Sequence, residues 1–226
     1  MNKNSNLYTI LYASVMVIIV AFVLAFLSQV LKPMQDANVE VDRQSQVLAS
    51  LNIRGLSNDE VQKKYAEVVV SDSTIEGAGQ LFVCNIEGQT KYVIPMKGRG
   101  LWGGLWGYIA LDADGQTVYG AYMSHESETA GLGALIAEED FQKQFQGKQV
   151  FGDKADVQLT VVKHGKVDKN PTVAATQIDG VTGATLTSNG VANMLKEGLQ
   201  PYADFLHTLQ GAATSVNTDS QTSNIQ

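Results

Sequence analysis

From Leu7 to Leu31 the chain reads "LYTILYASVMVIIVAFVLAFLSQVL", with no charged residue and only scattered hydroxyls and one Gln. About 20 apolar residues cross the hydrocarbon core of a bilayer, so the stretch predicts a transmembrane helix. The competing reading is a cleaved signal peptide, whose apolar core is roughly 7–15 residues and ends at a small-residue site. The run is longer than that, and "LSQVLKP" is a poor cleavage site. Charge leaves the orientation open, with Lys3 before the run and Lys32 and Arg43 after it among several acids. Beyond it, Val39, Val41, Val47, Leu48 and Leu51 recur among polar residues and predict a helix continuing outward. A second connector helix follows at "SNDEVQKKYAEVVV", where Ser57 is an N-cap and Glu60 stands at the capping-box spacing.

From Gly79 the period shortens. "GQLFVCNIEGQTKYVIPMKGRG" and "LWGYIALDADGQTVYGAYMSHE" predict two successive antiparallel hairpins turning at Glu87-Gly88 and Asp114-Gly115. "EEDFQKQFQGKQV" reads as a short helix, "VQLTVVKHG" as a strand, and "SNGVANMLKEGLQPYADFLHTLQ" as a helix broken or kinked at Pro201. The body is therefore α+β, an antiparallel sheet with flanking helices. The expected division is a stub at 1–6, the span at 7–31, a helical connector at 32–78, a folded domain at 79–211 and a disordered polar tail at 212–226.

Composition narrows the classes. A chain of 226 residues with 44% hydrophobic content supports one well-buried domain plus an appendage. A net charge of −7 without a cluster of Lys and Arg excludes a nucleic-acid surface. The single cysteine, Cys84, excludes an intrachain disulfide or a multi-cysteine metal site, and its apolar strand predicts a buried, inert thiol.

Three stretches carry candidate chemistry. "PMKGRGLWGGLWGYIAL" sets five glycines around Trp102 and Trp106, which suits either a flat ligand or membrane-facing partner or a bend packed on the core. "SHESETAGLGALI" brings a loop of small residues with unencumbered amides; His125, Glu126 and Glu128 beside it are too few for a convincing metal site, and no metal is expected. "DGVTGATLTSNGV" places Thr182, Thr185, Thr187 and Ser188 around Gly183 at the mouth of a helix. One cap needs one hydroxyl, with Thr185, Thr187 and Ser188 as candidates, and the surplus favours a phosphate at the helix start. The stretch is not a P-loop, because no Lys follows the glycine. No Gly-x-Ser-x-Gly nucleophile motif or dinucleotide fingerprint is present, and the three histidines suggest no triad.

"DGVTGATLTS" resembles the flavinylation motif, Asp-x-x-Ser/Thr-Gly-Ala-Thr, of the FMN-binding domains of bacterial respiratory complexes. With "IPMKGRGLWGGLWGYIALDADG" and "SHESETAGLG" it is similar to the C-subunit family of the sodium-translocating NADH:quinone reductase, over nearly the whole chain. The resemblance implies FMN joined by a phosphoester to Thr185, attached by a separate flavin transferase that uses FAD and recognises Asp179. It places Thr182, Gly183, Ala184, Leu186, Thr187 and Ser188, the loop residues Glu128, Thr129, Gly131, Leu132 and Gly133, and Trp102 near the flavin, with Thr187 and Ser188 as cap and phosphate neighbours. Two departures are visible: Ala130 stands where the family commonly has proline, and Thr182 where serine is commoner. The implied role is an electron-transfer subunit, with the flavin domain on the periplasmic face of the inner membrane and the amino terminus inside. The other subunits of the complex would supply the NADH, quinone and sodium sites. The alternatives are the G subunit of an Rnf-type ferredoxin:NAD oxidoreductase and a membrane-anchored binding module without redox chemistry.

Overall fold

The computed structural model describes residues 6–211; the expected tail and all but Asn6 of the amino-terminal stub lie outside them. Residues up to Arg43 form one unit and those from Gln44 onward another. In the first unit, α1 (Asn6–Ser50) starts and runs through Pro33, as the mixed pattern after the apolar run predicted. Among the described residues one helix is long and apolar enough to cross a membrane.

The second unit is built on a five-stranded antiparallel sheet in the order β1 (Val69–Ile75), β2 (Gly79–Ile86), β3 (Gln89–Arg99), β4 (Gly104–Leu111) and β5 (Val118–His125). The two expected hairpins are β2–β3 and β4–β5. Glu87 and Gly88 both take positive φ, 52° and 83°, as a two-residue turn matched to strand twist requires. At the second turn Asp114 Oδ1 accepts from the amides of Gln116 and Thr117, both at 2.9 Å.

Helix α2 (Asn58–Val68) has the expected capping box, with the Glu60 carboxylate accepting from the Ser57 amide at 2.9 Å. It stops earlier than its apolar end suggested. Val69 and Val70, assigned from sequence to this helix, begin β1 instead, because a run of three valines suits a pleated edge as well as a helix end.

Alternation along the strands separates two buried faces. Ile94, Met96, Leu105, Ile109 and Leu111 face α5 (Thr185–Leu199) in the principal core with Val191, Met194, Leu195 and Leu199. On the other face the end of α1 and the turn after it bury Val47, Leu48 and Leu51, and Gln46 Oε1 accepts from Trp106 Nε1 at 3.1 Å. Cys84 is fully buried and its thiol is pushed up to about 12 by desolvation, so it is inert as expected.

A second, parallel pair was not foreseen. The expected strand over "VQLTVVKHG" shrinks to β6 (Thr160–Val162), and it pairs with β7 (Gln177–Asp179), which leads directly into the hydroxyl-rich turn. Two short helices, α3 (Glu139–Lys143) and α4 (Pro171–Ala174), precede and separate these strands. At Pro201 the chain passes through a 3₁₀ turn, Gln200–Tyr202, before helical residues 203–211.

Helix α5 approaches the β3–β4 loop with almost no side-chain spacer. A Cβ at Gly190 would stand 2.5 Å from the Arg99 carbonyl oxygen and 3.2 Å from Gly100 Cα. Gly190→Ala should gain about 1 kcal/mol of helix propensity and lose about 1–3 kcal/mol to overpacking against backbone that cannot rotate away. The expected net result is destabilisation in a urea unfolding titration; unchanged or raised stability would contradict the close contact.

Candidate functional site

Three segments meet at one end of the sheet. The β3–β4 ribbon ends in the loop Leu101–Gly103, and pairing of Leu105 with His125 brings the exit of β5 beside it. The third segment is the start of α5, pressed on Arg99 and Gly100 through Gly190.

The hydroxyl-rich turn is sorted differently from the cap reading. Ala184, not a hydroxyl residue, is the N-cap of α5, and among the described residues no side-chain hydrogen bond caps the helix start. Thr187 and Ser188 are buried and committed elsewhere: Thr187 Oγ1 donates to Glu128 Oε2 at 2.5 Å, and Ser188 Oγ accepts from the Val181 amide at 3.1 Å. Their expected cap role is thereby corrected; the two hydroxyls tie the helix to neighbouring segments. Thr185, by contrast, is exposed at the first helical position, where uncapped amides and the helix dipole favour an anion. Gly183 turns with φ of 75°, and its Cα faces Leu132: a Cβ there would lie 3.0 Å from Leu132 Cδ2.

Glu128 is the hub. It is only 7% exposed, and besides Thr187 its carboxylate accepts from the Trp102 amide at 2.9 Å. Its own amide donates to His125 Nδ1 at 3.2 Å, while Glu126 Oε2 accepts from the Gly104 amide at 3.1 Å. The trio of His125, Glu126 and Glu128 is thus engaged in loop hydrogen bonds. Burial works to raise the Glu128 pKa, but the Thr187 hydroxyl and the amides of Trp102, Leu101 and Gly103 together hold the carboxyl below its ordinary value. The small-residue loop continues with exposed Thr129, whose carbonyl accepts from the Leu132 and Ala134 amides, both at 3.1 Å, across Ala130 and the positive-φ Gly131. Gly133 is buried against the Glu128–Thr187 contact.

The two tryptophans divide the roles the sequence could not separate. Trp106 belongs to the sheet, whereas Trp102 is 67% exposed, and Leu132 and Leu186 are exposed as well, on the small-residue loop and the first turn of α5. Leu101 is exposed too and was not singled out from sequence, although its position beside Trp102 was a usable signal.

Asp179 closes β7. Its Oδ1 accepts from the Gly165 amide at 2.7 Å and its Oδ2 lies 2.9 Å from His164 Nδ1, so it staples the 163–166 turn to the entrance of the motif. A cleft of about 470 Å³ opens beside it, walled by Leu135, Phe141, His164, Val181 and Thr182. Neither His164 nor Gln144, which exchanges hydrogen bonds with the Asp179 backbone at 3.0 and 3.4 Å, carried any sequence signal for this position.

Residues 100–200, which hold all of these segments, match the FMN-binding domain family. The crystal structure of the C subunit of Na(+)-translocating NADH-quinone reductase from Parabacteroides distasonis matches 78% of this chain and 96% of its own, at 34% identity and a TM-score of 0.68. The chain belongs to the family of C subunits of Na(+)-translocating NADH-quinone reductase. The C subunit from Haemophilus ducreyi is 29% identical, over 93% of this chain and 98% of its own length. That of Chlamydia trachomatis is 43% identical over 50% of this chain, a match that spans only 40% of that longer protein. Of the residues singled out from sequence, Thr182, Gly183, Thr185, Leu186, Leu132 and Trp102 are exposed, whereas Glu128, Thr187 and Ser188 are buried.

Because the folded Glu128 pKa lies below the ordinary carboxylate value of about 4.3, its stabilising effect is present above that pH and is lost as pH falls through the folded pKa. Denaturant titrations of the parent and Glu128→Gln should therefore differ most near neutral pH and converge in acid. A difference that holds constant or grows on acidification would contradict the assignment.

Proposed function

We propose that this chain is the flavin-carrying electron-transfer subunit of a Na(+)-translocating NADH-quinone reductase, with FMN joined through its phosphate to Thr185. The observation that carries the reading is the exposed Thr185 hydroxyl at the first position of a helix whose amides no side chain caps, inside the region matching the FMN-binding domain family. A phosphate at that point meets free amides and the positive end of the dipole. The exposed side chains of Leu101, Trp102, Leu132 and Leu186 supply apolar surface for a flat ring. FMN accepts and passes on electrons when bound; the protein's part is to tether it, orient it and set the electrostatics around it.

NADH oxidation, quinone reduction and sodium passage fall to other subunits of the complex. Relatives from Haemophilus ducreyi, Chlamydia trachomatis and Pseudomonas aeruginosa are all named as C subunits of this reductase, which favours this assembly over the Rnf-type alternative. The apolar part of α1 is read as a single-pass anchor in the inner membrane, with the flavin domain on the periplasmic side. A tether that survives outside the cytoplasm, where lost cofactor is not replaced, fits that placement. Loading requires a flavin transferase, and Asp179, with its side chain partly exposed at the start of the motif, is the acidic residue such an enzyme would meet.

A denaturing gel viewed under ultraviolet light tests the proposal when the full chain is co-expressed with a flavin transferase. The parent should give a fluorescent band that survives denaturation and is absent from Thr185→Ala. A parent without that band, or a Thr185→Ala variant that keeps it, would overturn the reading.

A further inference from the structure

Glu128 is a buried anion without a cation. Among the described residues no ion pair involves it, and its carboxylate is held by neutral donors alone: the Thr187 hydroxyl at 2.5 Å, the Trp102 amide at 2.9 Å and the neighbouring amides of Leu101 and Gly103. The chain leaves room for it on both sides by omitting a Cβ. A side chain at Gly100 would collide with Glu128 Oε1, and a Cβ at Gly133 would stand 2.6 Å from Oε2 and 2.5 Å from Thr187 Oγ1. Isolated buried carboxylates are costly unless every lone pair is satisfied, and here donors from two different segments satisfy them. Removing the side chain would therefore release Leu101–Gly103 from α5, and with them the exposed indole of Trp102.

The same charge acts on whatever occupies Thr185. Thr187 lies two residues along α5 from Thr185, an axial rise of about 3 Å but a rotation of about 200°, so the carboxylate lies beneath the helix start, on the face opposite the exposed hydroxyl, and reaches the group at Thr185 only through its field. Neutral donors spread a charge but do not cancel it, and a like charge inside a half-buried site is weakly screened. Electrons added to a nearby group are disfavoured by that field.

We propose that Glu128 is a positioning residue for the group at Thr185: it pins the Leu101–Gly103 loop to the first turn of α5, and its uncompensated charge lowers that group's reduction potential. The potential half of this rests on the FMN reading above; the pinning half does not. Glu128→Gln separates the two effects. The amide oxygen still accepts from the loop, and the amide NH₂ donates to the Thr187 hydroxyl, which can turn to accept, so the pin survives while the charge is lost.

The test uses the full chain, loaded with flavin by co-expressed transferase, in spectroelectrochemical titration, and the Thr185→Ala chain in amide hydrogen exchange. Glu128→Gln should retain covalent flavin and move its midpoint potential to a more positive value, whereas Thr187→Val, which keeps the carboxylate, should not. In the Thr185→Ala background, Glu128→Ala should speed exchange of Leu101–Gly103 at least tenfold relative to β3 and β4. If Glu128→Ala unfolds as a whole, Thr187→Val carries the same exchange comparison. An unshifted or lowered potential in Glu128→Gln, or an equal rise in Thr187→Val, overturns the electrostatic role; unchanged loop exchange overturns the pin. A parent chain without denaturation-resistant flavin sinks the FMN reading instead, and the exchange comparison still decides the pin.

Discussion

The contact on which the site depends is the one between the Glu128 carboxylate and the Thr187 hydroxyl, 2.5 Å apart across two segments far separated in sequence. Helix α5 is held on the sheet by ordinary apolar packing, but packing alone does not fix where its first turn stands relative to the β3–β4 loop. The hydrogen bonds of Glu128 do, because a buried carboxylate must keep all its donors or bear a large desolvation cost. The glycines around it follow from that requirement. Gly100 and Gly133 leave the carboxylate its space, and Gly190 lets the helix backbone reach the Arg99 carbonyl. What the sequence presents as a glycine-rich, ligand-like stretch is thus in good part the signature of three backbones meeting closely.

Within this frame the hydroxyls have distinct tasks. Ser188 and Thr187 face inward and spend their hydrogen bonds on the protein, while Thr185 faces outward with the helix amides left uncapped. A sequence pattern of four hydroxyls in one turn cannot separate these roles, since the helix could have started at any of three residues. The start at Thr185 is set by Gly183 turning with positive φ and by Ser188 reaching back to the Val181 amide. The surplus of hydroxyls was legible; which of the two exposed ones, Thr182 or Thr185, would carry a ligand was implied only by the family resemblance.

The same divide runs through the fold. The apolar run of α1, the hairpin turning at Glu87-Gly88 and the capping box at Ser57 and Glu60 were legible because each rests on a local rule of period or backbone angle. The parallel pairing of β6 with β7 was not, because two three-residue strands separated by a loop and α4 carry too short a pattern to declare a partner. Strand β1 was hidden by Val68, Val69 and Val70, a run equally at home at a helix end. Trp102 and Trp106 are alike in composition, and only the pairing of Lys97 with Trp106 puts one in the sheet and leaves the other in the loop. Asp179 was singled out for recognition, yet its hydrogen bond to Gly165 and its contact with His164 show that it also shapes the entrance to the motif.

The central proposal is that the chain carries FMN on a single hydroxyl, that of Thr185. Peptide mass mapping of the full chain, isolated after co-expression with a flavin transferase, addresses that claim most directly. The account predicts that the peptide spanning Asp179–Val191 carries the added mass of a phosphoester-linked FMN, with fragment ions placing it on Thr185. An unmodified peptide, or the same mass placed on Thr182, Thr187 or Ser188, would contradict it.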